Sequence, residues 1–240
     1  MIAGTLAVLD EPAEPLESWF RNRGLPALVV EDSQDALDAD DTDSERPIQR
    51  GKAAARAEEN RRVVDVGVNT DGEPIALDER YEPHPVDVAT EWVADVTRSG
   101  IIAAESVHDD GPLPFPFDLF YSLTGQRPRQ QWIDVRELKW AWDREDVLVD
   151  VWMAGEEDFE SDGAAISYHD AAEADTETSL GLGFAREWGG RVYRGVVYPS
   201  GYLAIHSSVT PAAYVEFAEE TVLPFAETKD GGLQELLGGA

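Results

Sequence analysis

The last third of the chain is a succession of short apolar runs that alternate with polar residues, and that period of two dictates hairpins. Leu180, Leu182 and Phe184 fall on one face of an extended strand. Gly189-Gly190 supplies the left-handed pair that a two-residue hairpin turn demands. Val192 to Tyr198 returns, Pro199-Ser200-Gly201 turns again, and Tyr202 to Ser207 closes a three-stranded meander. Thr210 then caps a helix opened by Pro211, with Tyr214, Val215, Ala218 and Val222 on its buried side.

The same logic applies upstream. Val64, Val66 and Val68 alternate, Thr70-Asp71-Gly72 turns the chain, and Ile75 to Leu77 returns. Pro85 suits a helix's first turn, Val88, Trp92 and Val96 make its stripe, and Gly100 stops it. Ile101 to Ala104 reads as a strand. A Pro-rich run over Gly111 to Phe117 leads into a short helix near Asp118 to Leu123, and a second helical stretch covers Gln130 to Leu138. Leu138, Trp140 and Trp142 alternate like a strand, and Asp143 to Asp146 turns into Val147, Val149, Val151 and Met153. At the front, Ile2 to Leu9 and Leu25 to Val30 are apolar strands flanking a helix on which Leu16, Trp19 and Phe20 are spaced.

Strands in hairpins with helices after them predict an α+β fold with an antiparallel or mixed sheet. Hairpin followed by helix occurs from Arg62 and again from Arg191, the outline of a pseudo-repeat. The expected organisation has four parts. Residues 1–30 form a strand–helix–strand segment on the main domain, and 31–61 are a linker or insertion, first acidic and then basic. The main α+β domain covers 62–228, and 229–240 are a flexible tail.

Charge decides what the surface is for. With 19 Lys and Arg against 49 Asp and Glu, the net charge is −30, and lysine occurs only at Lys52, Lys139 and Lys229. Acid excess with lysine depletion resembles the habit of proteins from salt-in halophiles. At multimolar KCl the Debye length shrinks below about 3 Å, so crowded carboxylates repel little and stay hydrated. A DNA mimic would line acids along one face; here they concentrate in two stretches. Glu31 to Glu45 holds eight acids and no base, and Glu156 to Glu177 holds nine and no base. Arg46 to Arg62 reverses the sign with six bases, and Lys52 to Glu59 within it has strong helix propensity.

The absence of cysteine excludes disulfides, thiol catalysis and cysteine-ligated metal. No run approaches the roughly 20 apolar residues of a membrane-spanning helix, and the first ten residues lack a signal peptide's positive start. Gly51-Lys52 fails as a phosphate loop, because Arg46 and Ala53 stand where Gly and Ser or Thr are required. Gly181-Leu182-Gly183 fails as a dinucleotide fingerprint, with Arg186 at the third glycine position.

Asp158, Glu160 and Asp162, followed by Gly163, resemble the first half of a calcium-binding EF-hand loop. His169 stands where that loop carries its bidentate Glu, so a solvated acidic loop is the simpler account. His206-Ser207-Ser208 resembles the His-x-Ser motif of two-histidine phosphoesterases, which implies proton handling by His206 beside a phosphate-holding Ser208. The second such motif is missing, since Val86, Asp110 and Ala171 follow the other histidines at +2. No His-x-x-x-His pair occurs, and the carboxylates Asp143, Glu145, Asp146 and Asp150 are ordinary in so acidic a chain. Trp140 and Trp142, beside Arg136 and Lys139, would stack on bases if exposed and build core or interface if not.

The leading expectation is therefore a non-enzymatic interaction or structural protein adapted to a potassium-rich solvent and encoded by a halophile's virus or plasmid. It would be cytoplasmic or virion-associated, need no cofactor, insert in no membrane, and act with a protein partner or as a homo-oligomer. A nucleic-acid-binding module is the first alternative, using Arg56, Arg61, Arg62, Trp140, Trp142, Tyr193 and Tyr202. A hydrolase or phosphoesterase using His206 is the second.

Overall fold

The computed structural model describes residues 1–21, 24–32, 48–68, 74–105, 116–157, 165–170 and 179–227. It is an α+β protein in which nearly every strand joins one antiparallel sheet. In chain order the elements are β1 (Ile2–Val8), β2 (Trp19–Arg21), β3 (Gly24–Asp32), β4 (Gln49–Val68), β5 (Pro74–Asp95), β6 (Ile101–Ala104), α1 (Pro116–Thr124), β7 (Arg129–Gln130), β8 (Trp132–Ile133) and α2 (Val135–Arg144). There follow β9 (Leu148–Glu157), β10 (Ala165–Asp170), β11 (Ser179–Trp188), β12 (Arg191–Val197), β13 (Tyr202–Ile205), α3 (Pro211–Phe217), a π-helical turn (Ala218–Val222), a 3-10 turn (Leu223–Phe225) and β14 (Ala226–Glu227). The sheet order is β10-β9-β11-β12-β13-β1-β6-β5-β4-β3-β2, with β7 also on β1; β8 and β14 form a separate pair.

The centre of this sheet is apolar on both faces, and strand alternation sorts its residues into two cores. Leu6, Val93, Ile101 and Ala103 point to one side, where α2, α3 and the π-helical turn bring Leu138, Trp142, Tyr214, Phe217 and Val222 against Phe184 and Ile205. Ala7, Trp92, Ala94, Ile102 and Ala104 point to the other, where Leu16 and the α1 residues Phe117 and Phe120 cover them. Aromatic rings interlock within each core: Trp92 meets Phe120 edge-on at 5.3 Å, and Phe184 stacks on Phe217 at 5.8 Å. Such pairs add about 0.5–1.5 kcal/mol beyond their area.

Local chemistry accounts for the meander and the helix behind it. Gly189 and Gly190 have φ of 55° and 73°, the left-handed pair of a tight hairpin turn, and join Trp188 to Arg191. Thr210 caps α3 by accepting from the Ala213 N–H, Pro211 begins it, and Tyr214, Val215, Ala218 and Val222 are buried.

Several expectations are corrected. The Ala-rich Lys52–Glu59 is strand, not helix: β3 and β5 flank β4 there, with Ala53 buried between Leu28 and Thr90 in the register. Pro85 to Asp95 continues β5, because burial alternates along Val86, Val88, Thr90 and Trp92. The hairpin from Arg62 is thus followed by strand, whereas the hairpin from Arg191 is followed by α3. Leu16, Trp19 and Phe20 lie on irregular chain and β2, with Trp19 paired to Leu28. Leu138, Trp140 and Trp142 lie on α2, which starts at Val135 where Asp134 caps it, so the helix expected over Gln130 to Leu138 begins later. Residues 165–170 within the second acid-rich stretch are strand β10, paired to β9. The first acid-rich stretch beyond Asp32, the Thr70-Asp71-Gly72 turn and the tail from Lys229 fall outside the described residues.

Candidate functional site

The most distinctive surface element is a two-stranded ribbon made by the outer parts of β4 and β5. β3 accompanies β4 only as far as Ala54, opposite Ala27, and β6 accompanies β5 only from Trp92, opposite Ala104. Between these points the register runs unbroken from Ala55↔Val88 to Asp65↔Asp78 and, after one bulge, to Val68↔Pro74. Fourteen residues of β4, Ala55 to Val68, therefore have β5 on one edge and no strand on the other among the described residues. At about 3.3 Å per residue that is an arm of roughly 45 Å.

Near the base of the arm, Arg56 Nε donates to Asp87 Oδ1 at 2.9 Å across the ribbon. That hydrogen bond and the carboxylate's charge raise the guanidinium's already high pKa. Arg80 and Glu82 pair along β5 at 2.7 Å. Tyr81 is exposed, as are Pro83, His84 and Pro85. Arg61 and Arg62 lie opposite Glu82 and Tyr81 in the register.

The other residues singled out by sequence are dispersed. On α2, positions 140 and 142 face opposite ways: Trp140 is 59% exposed under the Arg144 guanidinium at 3.9 Å, whereas Trp142 is 1% exposed against Phe184. The expectation that both share one strand face is thus corrected by the helix. Tyr193 is buried and stacks on Phe217 at 5.2 Å. Tyr202 is half-buried, edge-on to Tyr198 at 5.9 Å; burial raises its phenol pKa first, with Glu105 and Tyr198 adding to the effect.

His206 lies exposed just past β13, its backbone N–H donating to the Arg194 carbonyl at 2.8 Å. The neighbouring Ser207 hydroxyl accepts from the Arg194 N–H, and Ser208 is exposed. Asp158, Glu160 and Asp162 fall outside the described residues. Among the described residues no three His, Asp or Glu side chains converge as metal ligands, and no helix is long and apolar enough to cross a membrane. One open groove of about 540 Å³ runs between residues 12–19 and the end of α1, with Leu16, Trp19, Leu123 and Thr124 in its walls.

Two features escaped the sequence reading. The arm reads from sequence only as a short hairpin, because Pro85 suits the first turn of a helix; the alternation of Val86 and Val88 about the polar Asp87 is the signal for its length. The second is Arg186, buried at 7% exposure inside the aromatic cluster of Trp142 and Phe217. The period of two places Arg186 on the same buried face as Leu182 and Phe184, and only its charge makes it read as solvent-facing.

No protein-family model matches the chain, and no curated protein is significantly similar to it.

Proposed function

We propose that this chain is a non-enzymatic interaction or structural protein adapted to a potassium-rich solvent, carried by a halophile's virus or plasmid, and that the β4–β5 arm is its working element. The arm itself carries this reading. An isolated two-stranded ribbon is marginally stable in water, yet here one spans roughly 45 Å and, among the described residues, no helix contributes a core beneath its outer half. A chain keeps such an element when something else covers it. The net charge of −30 suits a solvent in which surface carboxylates are screened.

The test is light scattering on a size-exclusion column in multimolar KCl, with absorbance at 260 and 280 nm. The full chain is compared with one in which residues 57–86 are replaced by Asn-Gly. The full chain is expected to run as a protein-only assembly and the shortened one as a folded monomer. A full chain that is strictly monomeric and partner-free overturns the proposal, and bound nucleic acid transfers the arm to the nucleic-acid-binding alternative.

A further inference from the structure

The two edges of the arm are not equivalent. Pro83 and Pro85 sit in the β5 ladder opposite Asn60 and Glu58 without breaking the register. Proline donates no hydrogen bond, and within a ladder it is accommodated where its nitrogen faces away from the partner strand. Both nitrogens therefore belong to the outer edge of β5, which lacks two donors two residues apart. That is how an edge is blunted against further pairing. The outer edge of β4 carries no proline from Ala55 to Val68.

The β4 sequence on that open edge is self-complementary in charge. Glu58-Glu59-Asn60-Arg61-Arg62 runs acid, acid, neutral, base, base. Place a second copy antiparallel on the same edge, with the two-fold axis at Asn60. Glu58 then stands opposite Arg62 of the other chain, Glu59 opposite Arg61, and the reciprocal pairs follow by symmetry. Every directly opposed charged pair in this stretch is favourable, which is the arrangement that stabilises cross-strand neighbours. Moving the axis to Arg61–Arg62 sets base against base at the centre. Ala55 to Val68 has three bases and three acids, net zero, in a chain of −30, so two copies repel less here than over the surface at large.

We propose that two copies of this chain pair through the outer edges of β4, antiparallel about Asn60, to give a continuous sheet β5-β4-β4-β5 across the dimer. The proposal rests on the interaction reading above and names its partner. The interface is isologous, so it closes at two chains, and the proline-blunted β5 edges stop the sheet from growing further. Main-chain hydrogen bonds supply the pairing, and the charges choose the register.

The test uses the full chain at the lowest KCl concentration at which it stays folded, read by sedimentation equilibrium. Glu58→Arg with Glu59→Arg makes the segment all basic; Arg61→Glu with Arg62→Glu makes it all acidic. Each variant alone is expected to raise the dimer dissociation constant roughly tenfold or more, and an equimolar mixture to restore a heterodimer near the wild-type value. Restoration on mixing cannot arise from misfolding of either variant. The chain has no cysteine, so Asn60→Cys gives a single thiol on the dyad. Directly opposed Cα atoms lie about 4.5–5.5 Å apart, within the reach of a disulfide, so mild oxidation is expected to crosslink the dimer there, while His84→Cys on β5 stays uncrosslinked. An assembly that survives both like-charge variants and does not crosslink at position 60 overturns the pairing and leaves the interaction reading standing. A wild-type chain that is monomeric throughout overturns both.

Discussion

Arg186 offers the sharpest test of the energetics of this fold. The residue is 7% exposed, and its guanidinium carbon lies 4.7 Å from the Trp142 ring centroid and 6.0 Å from that of Phe217. Nη2 reaches Glu145 at 3.3 Å, but Nε and Nη1 are buried with no hydrogen-bond acceptor among the described residues. Burial accordingly holds the pKa of this guanidinium below its ordinary value, with Glu145 acting in the opposite sense. The Coulomb attraction at 3.3 Å is about 5 kcal/mol at an effective dielectric of 20 and about 1.3 kcal/mol in water. Glu145 is 57% exposed, so about 1 kcal/mol is the appropriate worth of the pair. Cation–π contact contributes about 0.5–1 kcal/mol. Against these, each unsatisfied buried donor costs about 1–3 kcal/mol, the ring faces relieving part of it.

Replacing Arg186 by Met keeps much of the volume, removes both orphan donors, and so is expected to leave stability unchanged or raise it by about 1 kcal/mol. Arg186→Lys keeps the charge and loses the planar contact, and is expected to cost about 2 kcal/mol. Glu145→Gln is expected to cost about 1 kcal/mol. Urea denaturation in high KCl, followed by tryptophan fluorescence, gives all three differences. A Met variant destabilised by more than about 2 kcal/mol refutes the reasoning, because the guanidinium would then be fully satisfied in the native protein.

Three further outcomes follow from other parts of the structure. The buried Tyr214 hydroxyl donates to the Leu203 carbonyl at 2.9 Å, and burial lifts its pKa far above the ordinary 10.0. The unfolded chain therefore ionises this phenol first, and stability is full below about pH 10 and falls above it by up to about 1.4 kcal/mol per pH unit; Tyr214→Phe removes that share of the slope in denaturation curves taken from pH 9 to 11. Gly201 has φ of 80°, and a Cβ there would collide with the Gln131 carbonyl oxygen, so Gly201→Ala is expected to cost at least about 3 kcal/mol in the same urea assay. The melting temperature is expected to rise steeply with KCl, and full stability in dilute buffer counts against adaptation to salt.

The parts of this fold that could be read from sequence are those where local chemistry and tertiary context agree. Gly189-Gly190, Thr210-Pro211 and the alternating runs between them have one conformational solution each. The misread segments share a different property. Val88, Trp92 and Val96 are spaced by four, which is one helical turn but also two full strand periods, so the spacing cannot decide. The pairing of β5 with β4 and β6 does decide. Leu138 and Trp142 are likewise four apart, and only the exposure of Trp140 between them reveals a helix. Lys52 to Glu59 favours a helix by propensity, but a strand between β3 and β5 needs small residues where Ala53 is buried, and tertiary contact wins. The arm is hidden for a related reason, because Pro85, which suits the first turn of a helix, belongs with Pro83 to its outer edge.

The position of β1 has a consequence for how the molecule is made. Ile2 to Thr5 pair with Tyr202 to Ile205, and Thr5 to Val8 pair with Ile101 to Ala104. A strand that is apolar on both faces thus has β6 about 100 residues downstream and β13 about 200, with β7 reaching only Ala7 and Val8. At synthesis rates of roughly 5–20 residues per second, β1 leaves the ribosome some 10–40 seconds before β13 exists. Over Ile2 to Thr5 its second edge stays open through that interval, and the meander must return to β1 before the α2–α3 core can close. Loop closure over such distances slows folding, and a chaperone that holds β1 until β13 arrives would act at the step where this chain is most exposed to aggregation.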